Sequence, residues 1–211
     1  MFRSLFVFLF VVSSEFLFPQ TGYRVMKDTS TFKQKIDKMA RETNSIESDF
    51  TQVKSLAVLS EKIISKGFFC FMKQNNLRWE YTEPYKYIIV INKEKILIKD
   101  ESSKVKKYDM NSNRVFKEIN DIMLSCVNGS ILKSDKFRIN YFENDKGFKV
   151  ELTPLIKSMK ESLKKIAMYF DKNVTSVIKL EMFENGEDLT TIEFTNKKIN
   201  APVPTEKFSL K

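Results

Sequence analysis

The sequence predicts a mainly β protein whose strands form one long antiparallel sheet, curled into an incomplete barrel and covered by an α-helical lid. Three observations lead to this prediction: short runs that alternate apolar and polar residues, short polar turns between them, and two stretches with helical spacing. Strands joined by short turns pair antiparallel, because a parallel pair needs a crossover of about a dozen residues or more. A long meander of this kind curls, and the apolar sides of the helices need a surface on which to pack.

Two apolar stripes predict two amphipathic helices. The first stripe starts after capping residues at 28–30 and recurs every three or four residues. Its members are Phe32, Ile36, Met39, Thr43 and Ile46. The second stripe predicts a helix near 116–127, with Asn128 and Gly129 at its end. Its members are Phe116, Ile119, Met123 and Cys126.

The strand pattern predicts about eleven strands. In order they cover 50–59, 62–72, 77–81, 87–91, 95–99, 104–109, 137–142, 148–153, 163–170, 177–183 and 189–195. Residues 155–162 fit a loop or a helical turn. The runs at 68–72 and 88–91 are apolar on both faces, so we expect these strands to be covered on both sides.

The N-terminus has the features of an export signal. Arg3 precedes an unbroken apolar run at 5–12, and small residues follow. Acidic and proline residues interrupt the run before it reaches the 20 or so apolar residues that a membrane span needs. We therefore expect a cleaved signal at 1–20 and a single mature domain at 28–211, with a retained anchor as the alternative.

Charge and cysteine content leave alternatives open. The formal net charge is +9, which suggests nucleic acid for a cytosolic protein but not for an exported one. It fits either a solvated basic surface or attraction to anionic lipid headgroups or an acidic partner. Cys70 and Cys126 either form a disulfide in an oxidising compartment or pack as small hydrophobic residues.

The composition argues against most enzyme classes. The chain has no histidine, two cysteines far apart and only five glycines. Histidine-dependent triads, the commonest zinc ligand, a Cys-x-x-Cys pair and a phosphate-binding loop are therefore missing from the sequence. A hydrolase with paired carboxylates is the remaining catalytic alternative, although the acidic residues fall at turns and on outward strand positions. We expect no enzymatic activity, no cofactor and no metal site.

Soft apolar residues are abundant, with 19 Phe, 9 Met and 7 Tyr. They suit either an ordinary core or a deformable cavity between helices and sheet, because methionine adapts to irregular ligands.

A series of short motifs resembles a known family. Phe50-Thr51-Gln52 is followed by Gly67 and then by the pattern Leu77-x-Trp79-x-x-Thr82-x-Pro84. Near the end stands Ile192-x-Phe194-x-Asn196. In this order the motifs resemble the LolA family of periplasmic outer-membrane lipoprotein carriers of Gram-negative bacteria.

The resemblance implies an unclosed barrel with a helical lid whose interior shields the acyl chains of lipoproteins. It implies a monomeric periplasmic carrier that receives acylated lipoproteins from an ATP-driven inner-membrane lipoprotein-releasing complex and passes them to an outer-membrane acceptor. A related periplasmic sensor, or a carrier of another lipid or glycolipid, is the alternative.

Strand parity and the resemblance together predict the binding residues. The cavity is expected to contain Leu77, Trp79, Tyr81 and Phe170, and the lid is expected to contribute Ile36, Met39, Ile119 and Met123. Where the family commonly has Arg-Pro, this chain has Lys73-Gln74. The family arginine holds backbone carbonyls of the lid, so Lys73 is expected to act as the lid latch, without the planar fork of arginine.

Overall fold

The computed structural model describes residues 22–58, 61–92, 95–109, 124–125, 129–174 and 176–210. These residues contain a single sheet of twelve strands, and every pairing in it is antiparallel. The strands are β1 (Arg24–Val25), β2 (Ser45–Ser55), β3 (Lys62–Met72), β4 (Asn76–Glu83), β5 (Tyr87–Asn92), β6 (Lys95–Lys99), β7 (Val105–Asp109), β8 (Phe137–Glu143), β9 (Gly147–Pro154), β10 (Leu163–Asp171), β11 (Val177–Glu184) and β12 (Leu189–Ile199). The prediction of a mainly β protein with one antiparallel sheet is confirmed.

Two meanders make up this sheet. Strands β2 to β7 pair in chain order, and so do strands β8 to β12. The pairing of β12 with β2 joins the two meanders in the middle of the sheet. Strands β1 and β7 occupy the two ends of the order. Among the described residues the sheet is therefore open, as in an incomplete barrel.

One face of the sheet, here called the inner face, carries Trp79 and its cross-strand neighbours. Trp79 lies opposite Phe69 on β3 and Ile89 on β5. Ile89 in turn lies opposite Ile98 on β6. Since side chains alternate along a strand, Leu77 and Tyr81 share this face with Trp79.

Helix α1 (Ser30–Glu42) packs on the inner face. Its buried residues are Phe32, Ile36 and Met39, three members of the stripe expected from the sequence. The stripe was expected to continue through Thr43 and Ile46, and that part of the prediction is wrong. The backbone is extended at Thr43, and Ile46 belongs to β2, where it pairs with Phe71. Strand pairing over the full length of β3 outweighs the local helical spacing here.

Smaller differences concern the ends of elements. Strand β2 stops at Ser55 and β12 continues to Ile199, beyond the expected end of that strand. The two-residue strand β1 brings the number of strands to twelve. The short helix Lys157–Lys160 lies where a loop or helical turn was expected. Of the helix expected near 116–127, the structure describes residues 124–125, which are helical, and the rest lies outside the described residues.

Two apolar clusters share the inner face. The helix-side cluster joins α1 to β8, β9 and β10, and it contains Phe32, Ile36, Met39, Phe148, Val150 and Phe170. The sheet-side cluster contains Phe50, Phe69, Leu77, Trp79, Ile91 and Ile192. Leu180 and Met182 pack against both clusters.

The outer cluster lies on the opposite face and consists of Cys70, Val90 and Phe208. Phe208 belongs to a 3₁₀ turn, Thr205–Phe208, in the C-terminal segment. Arg78 and Asn92 hold this segment by donating hydrogen bonds to the carbonyl oxygens of Lys207 and Phe208, at 3.0 Å and 3.1 Å. Cys70 is a free cysteine with no exposed surface. It packs as a small hydrophobic residue, whereas Cys126 lies outside the described residues.

Candidate functional site

An apolar cavity of about 340 Å³ opens on the inner face of the sheet. Its walls come from β2 to β5 and from β10 to β12, so it lies across the pairing that joins the two meanders. Its apolar lining includes Ile46, Phe69, Trp79, Ile89, Leu180, Ile192 and Phe194. Ligand sites of this size and character bind apolar molecules and orient them with a few polar groups.

Two aromatic side chains of the cavity lining, Trp79 and Tyr81, pack on the ring of Phe50. The ring centroids of Phe50 and Trp79 are 4.7 Å apart, and those of Phe50 and Tyr81 are 5.2 Å apart in an edge-to-face arrangement. Gly67 makes room for this group, because a Cβ at that position would meet Phe50 Cζ at 2.7 Å and would overlap the backbone of Glu80. A glycine is therefore required where β3 passes beneath the Phe50 ring.

Few polar groups accompany these aromatic rings. The Tyr81 hydroxyl donates a hydrogen bond to Gln52 Oε1 at 3.0 Å, and burial raises the pKa of Tyr81. Trp79 is 6% exposed, and its indole Nε1 is buried without a hydrogen-bond partner among the described residues. A buried unpaired donor costs roughly 1–3 kcal/mol, and the Tyr81 hydroxyl is the neighbouring polar group on which the indole acts, since the indole lowers the pKa of Tyr81 in opposition to burial.

A cationic group also belongs to the cavity lining. Lys197 is half-buried in the lining, and its Nζ donates a hydrogen bond to Ser176 Oγ at 2.8 Å. Burial lowers the pKa of Lys197, and the negative charge of Asp171 partly offsets that effect. Ser48 is buried beside them, and its hydroxyl lies 2.7 Å from the carbonyl oxygen of Thr195 on the neighbouring strand.

The residues predicted from the sequence fall into three groups. Trp79 and Tyr81 line the cavity. Leu77 lies buried in the sheet-side cluster, while Ile36, Met39 and Phe170 lie buried in the helix-side cluster, and the described lining includes none of these four. Ile119 and Met123 lie outside the described residues. Contact of any of them with a lipid stays a prediction.

Lys73 lies at the end of α1. Its Nζ donates a hydrogen bond to the carbonyl oxygen of Arg41 at 2.6 Å, and its backbone N–H donates to Asn44 O at 2.8 Å. The Asn200 side chain donates to the carbonyl oxygen of Glu42 at 2.9 Å and accepts from the backbone N–H of Asn44 at 2.6 Å. Two side chains from distant parts of the chain thus hold the junction between α1 and β2, where the last carbonyls of a helix need partners.

Sequence reasoning missed Lys197, Ser176 and Asn200. Lys197 is one of 36 basic residues, and its position in the cavity depends on an irregularity in β12. Asn196 carries the available signal, because asparagine inside an alternating strand pattern is typical of a bulge or a left-handed residue.

None of the helices within the described ranges has the length and apolar character needed to cross a membrane.

Comparison with known proteins identifies the family. Residues 41–211 match the model of the family described as outer membrane lipoprotein carrier protein LolA. No curated protein matches this chain. Among solved structures, an uncharacterized conserved protein from Thermus thermophilus has a similar fold, with a TM-score of 0.53 and 9% identity over 84% of this chain and 92% of that chain.

Two further solved structures have lower TM-scores. A LolA superfamily protein from Nitrosomonas europaea gives a TM-score of 0.43 and 12% identity, covering 83% of this chain and 96% of that chain. The lipoprotein LppX from Mycobacterium tuberculosis gives a TM-score of 0.46 and 10% identity, covering 82% of this chain and 96% of that chain. With a family match that spans β2 to β12 and the C-terminal segment, the chain belongs to the LolA family.

Proposed function

We propose that this protein is a periplasmic carrier that binds the acyl chains of lipoproteins and moves them from the inner to the outer membrane without any bond chemistry. The observation that carries this proposal is the apolar cavity on the inner face, lined by Trp79, Phe194 and their neighbours. Membership of the LolA family supports it.

A carrier is needed because acyl chains do not leave a membrane readily. Each buried methylene contributes about 0.8 kcal/mol, so a lipid-modified protein crosses an aqueous gap too slowly unless its chains stay covered. A carrier must also release them. A cavity with few polar anchors serves both needs, because it binds chains without holding them as firmly as a fully complementary site would.

Release requires a part of the carrier that moves. We assign this part to the helical lid, with Lys73 as its latch, and the hydrogen bond from Lys73 to the end of α1 supports that assignment. Lysine keeps the charge of the family arginine and makes a single contact where arginine makes a fork. The latch is accordingly weaker in this protein.

The same proposal includes the route of the protein and its partners. Residues 1–20 act as the export signal, and the mature domain at 28–211 works as a monomer. Its cargo comes from an ATP-driven inner-membrane complex and goes to an outer-membrane acceptor.

Identification of the cargo tests the proposal. Native mass spectrometry of protein released from the periplasm should show acylated protein in the cavity. Depletion of the protein should leave outer-membrane lipoproteins in the inner membrane. Correct placement of these lipoproteins after depletion would contradict the carrier role.

The size of the cavity favours a second candidate. A volume of about 340 Å³ lies near the lower limit of ligand sites, about 300–1,000 Å³, and it suits one chain better than several. A carrier or sensor of another lipid or glycolipid needs no larger space. In the same mass spectra this candidate would appear as a bound lipid without protein.

A further inference from the structure

Among the described residues that line the cavity, Lys197 is the one with a charged side chain. Two other polar groups of the lining have local partners: the Tyr81 hydroxyl donates to Gln52, and the Ser48 hydroxyl lies 2.7 Å from the backbone carbonyl oxygens of Asp49 and Thr195. Lys197 uses one N–H for Ser176 Oγ, and an ammonium group has three donors. The ion pairs formed among the described residues do not include Lys197.

A bulge in β12 turns this lysine inward. Ile192 and Phe194 line the cavity, so unbroken alternation would direct residue 196 inward and residue 197 outward. Between Thr195 and Lys198 the register shifts, because Thr195 pairs with Asp49 and Lys198 pairs with Glu47. One extra residue on β12 therefore reverses the alternation, and Lys197 joins the lining.

Asn196 stabilises the bulge. Its φ of 51° lies in the left-handed region, which asparagine tolerates better than most residues. Its side-chain amide donates to Asp49 Oδ2 at 2.7 Å on the neighbouring strand. The inward position of Lys197 is thus built into the backbone and does not depend on a flexible loop.

An ammonium group among apolar walls is poorly solvated, and burial lowers the pKa of Lys197 accordingly. Asp171 is the charged group that acts on it in the opposite direction. A ligand that brings its own negative charge would restore the interactions that burial removes, through a short charge-assisted hydrogen bond.

We propose that the cavity selects acyl chains that end in an acidic group, with the chain along the apolar wall near Trp79 and the acid hydrogen-bonded to Lys197 Nζ. This inference rests on the second candidate of the proposed function, a carrier or sensor of another lipid, because the acyl chains of a lipoprotein are joined through ester or amide bonds and have no free acid. It adds the chemistry of the head group, a carboxylate or a phosphate, and the residue that recognises it.

A suitable probe joins an apolar chain of moderate length to a single acidic group. Decanoate is such a probe. Decanol has the same chain without the charge, and acetate has the charge without the chain.

The experiment titrates the mature protein with each probe at neutral pH and follows the emission of Trp79, the single tryptophan of the chain. Lys197→Met removes the charge at nearly constant length, and Lys197→Arg keeps it. Lys198→Met is the matched control, because Lys198 is its exposed neighbour. Far-UV circular dichroism and the urea midpoint verify that each variant is folded.

The expected result is selective. Lys197→Met should weaken decanoate binding by about ten- to a hundredfold, the loss of one charge-assisted hydrogen bond, and should leave decanol binding unchanged. Lys197→Arg and Lys198→Met should bind decanoate as the wild type does.

Three results would overturn the proposal or its basis. If Lys197→Met weakens the binding of decanoate and decanol equally, or weakens the binding of neither, Lys197 does not recognise the acid. If acetate competes with decanoate at similar concentrations, the site binds free anions and the acyl chain plays no part in recognition. A wild-type protein that binds neither decanoate nor decanol contradicts the proposed function itself.

Discussion

Replacing Phe32 with alanine tests how strongly α1 is tied to the sheet. Phe32 is 1% exposed, and its ring centroid lies 5.0 Å from that of Phe148 and 5.6 Å from that of Phe170. A third ring, Tyr141, lies 5.9 Å away in an edge-to-face arrangement. Removing a buried phenylalanine from such a group costs about 3–5 kcal/mol.

Urea unfolding converts this cost into a shift of the midpoint. With a slope of about 2 kcal/mol per molar urea, a cost of about 4 kcal/mol lowers the midpoint by about 2 M. Trp79 emission reports the sheet-side cluster, and far-UV circular dichroism reports the whole sheet. Since Leu180 and Met182 pack against both inner clusters, we expect both signals to shift together.

Phe208→Ala is the matched control, because Phe208 is also 1% exposed but belongs to the outer cluster. Amide hydrogen exchange should speed up in 30–42 for Phe32→Ala and in 203–210 for Phe208→Ala. The reasoning would be refuted by a Trp79 midpoint that moves less than about 0.5 M in Phe32→Ala, which would make the two inner clusters independent. It would also be refuted by the same exchange pattern in both variants.

Three further predictions concern single positions. Gly67→Ala should lower the free energy of unfolding by about 3 kcal/mol through overpacking against the carbonyl oxygen of Glu80 and the Phe50 ring, and a urea midpoint equal to that of the wild type would contradict the close packing seen there. Burial raises the pKa of the Cys70 thiol from 9.0 to about 11, so the folded state keeps a proton that the unfolded state loses. Stability should therefore be unaffected by this group below pH 9 and should fall between pH 9 and 11, by about 2–3 kcal/mol in total. Across this pH range the urea midpoint of the wild type should fall relative to that of Cys70→Ala. Midpoints that change in parallel would contradict this prediction. Lys73→Met should speed amide exchange in the last turn of α1 by about two- to fivefold, the effect of losing a cation at a helix C-terminus. Lys73→Arg should leave amide exchange in this turn unchanged. Faster exchange in both variants would show that the charge of the side chain does not matter.

The alternation of apolar and polar residues predicted most of the strands in the sheet. The strands at Tyr87–Asn92 and Lys95–Lys99 lie within one residue of their expected bounds, because each has apolar side chains at regular intervals and polar turns at its ends. The two-residue strand Arg24–Val25 was missed because it is too short to show any period. The region around Ile46 was misassigned because its apolar spacing continued that of α1, whereas pairing with β3 decides its conformation.

The candidate site was predictable only in part. Trp79 and Tyr81 follow from strand parity, since they share a face with other apolar residues of β4. Lys197 does not follow, because one inserted residue in β12 reverses which side chains face inward. Asn200 is equally hidden, since its hydrogen bonds join it to residues more than 150 positions away.

The pairing of β12 with β2 has a consequence for biosynthesis. A nascent chain that has not yet emerged past residue 188 has made every strand except the one that connects its two halves. Until then the walls of the cavity remain on separate pieces, and contacts between such distant residues form late in folding. Translation must therefore be almost finished before the two sides of this hollow can come together at all.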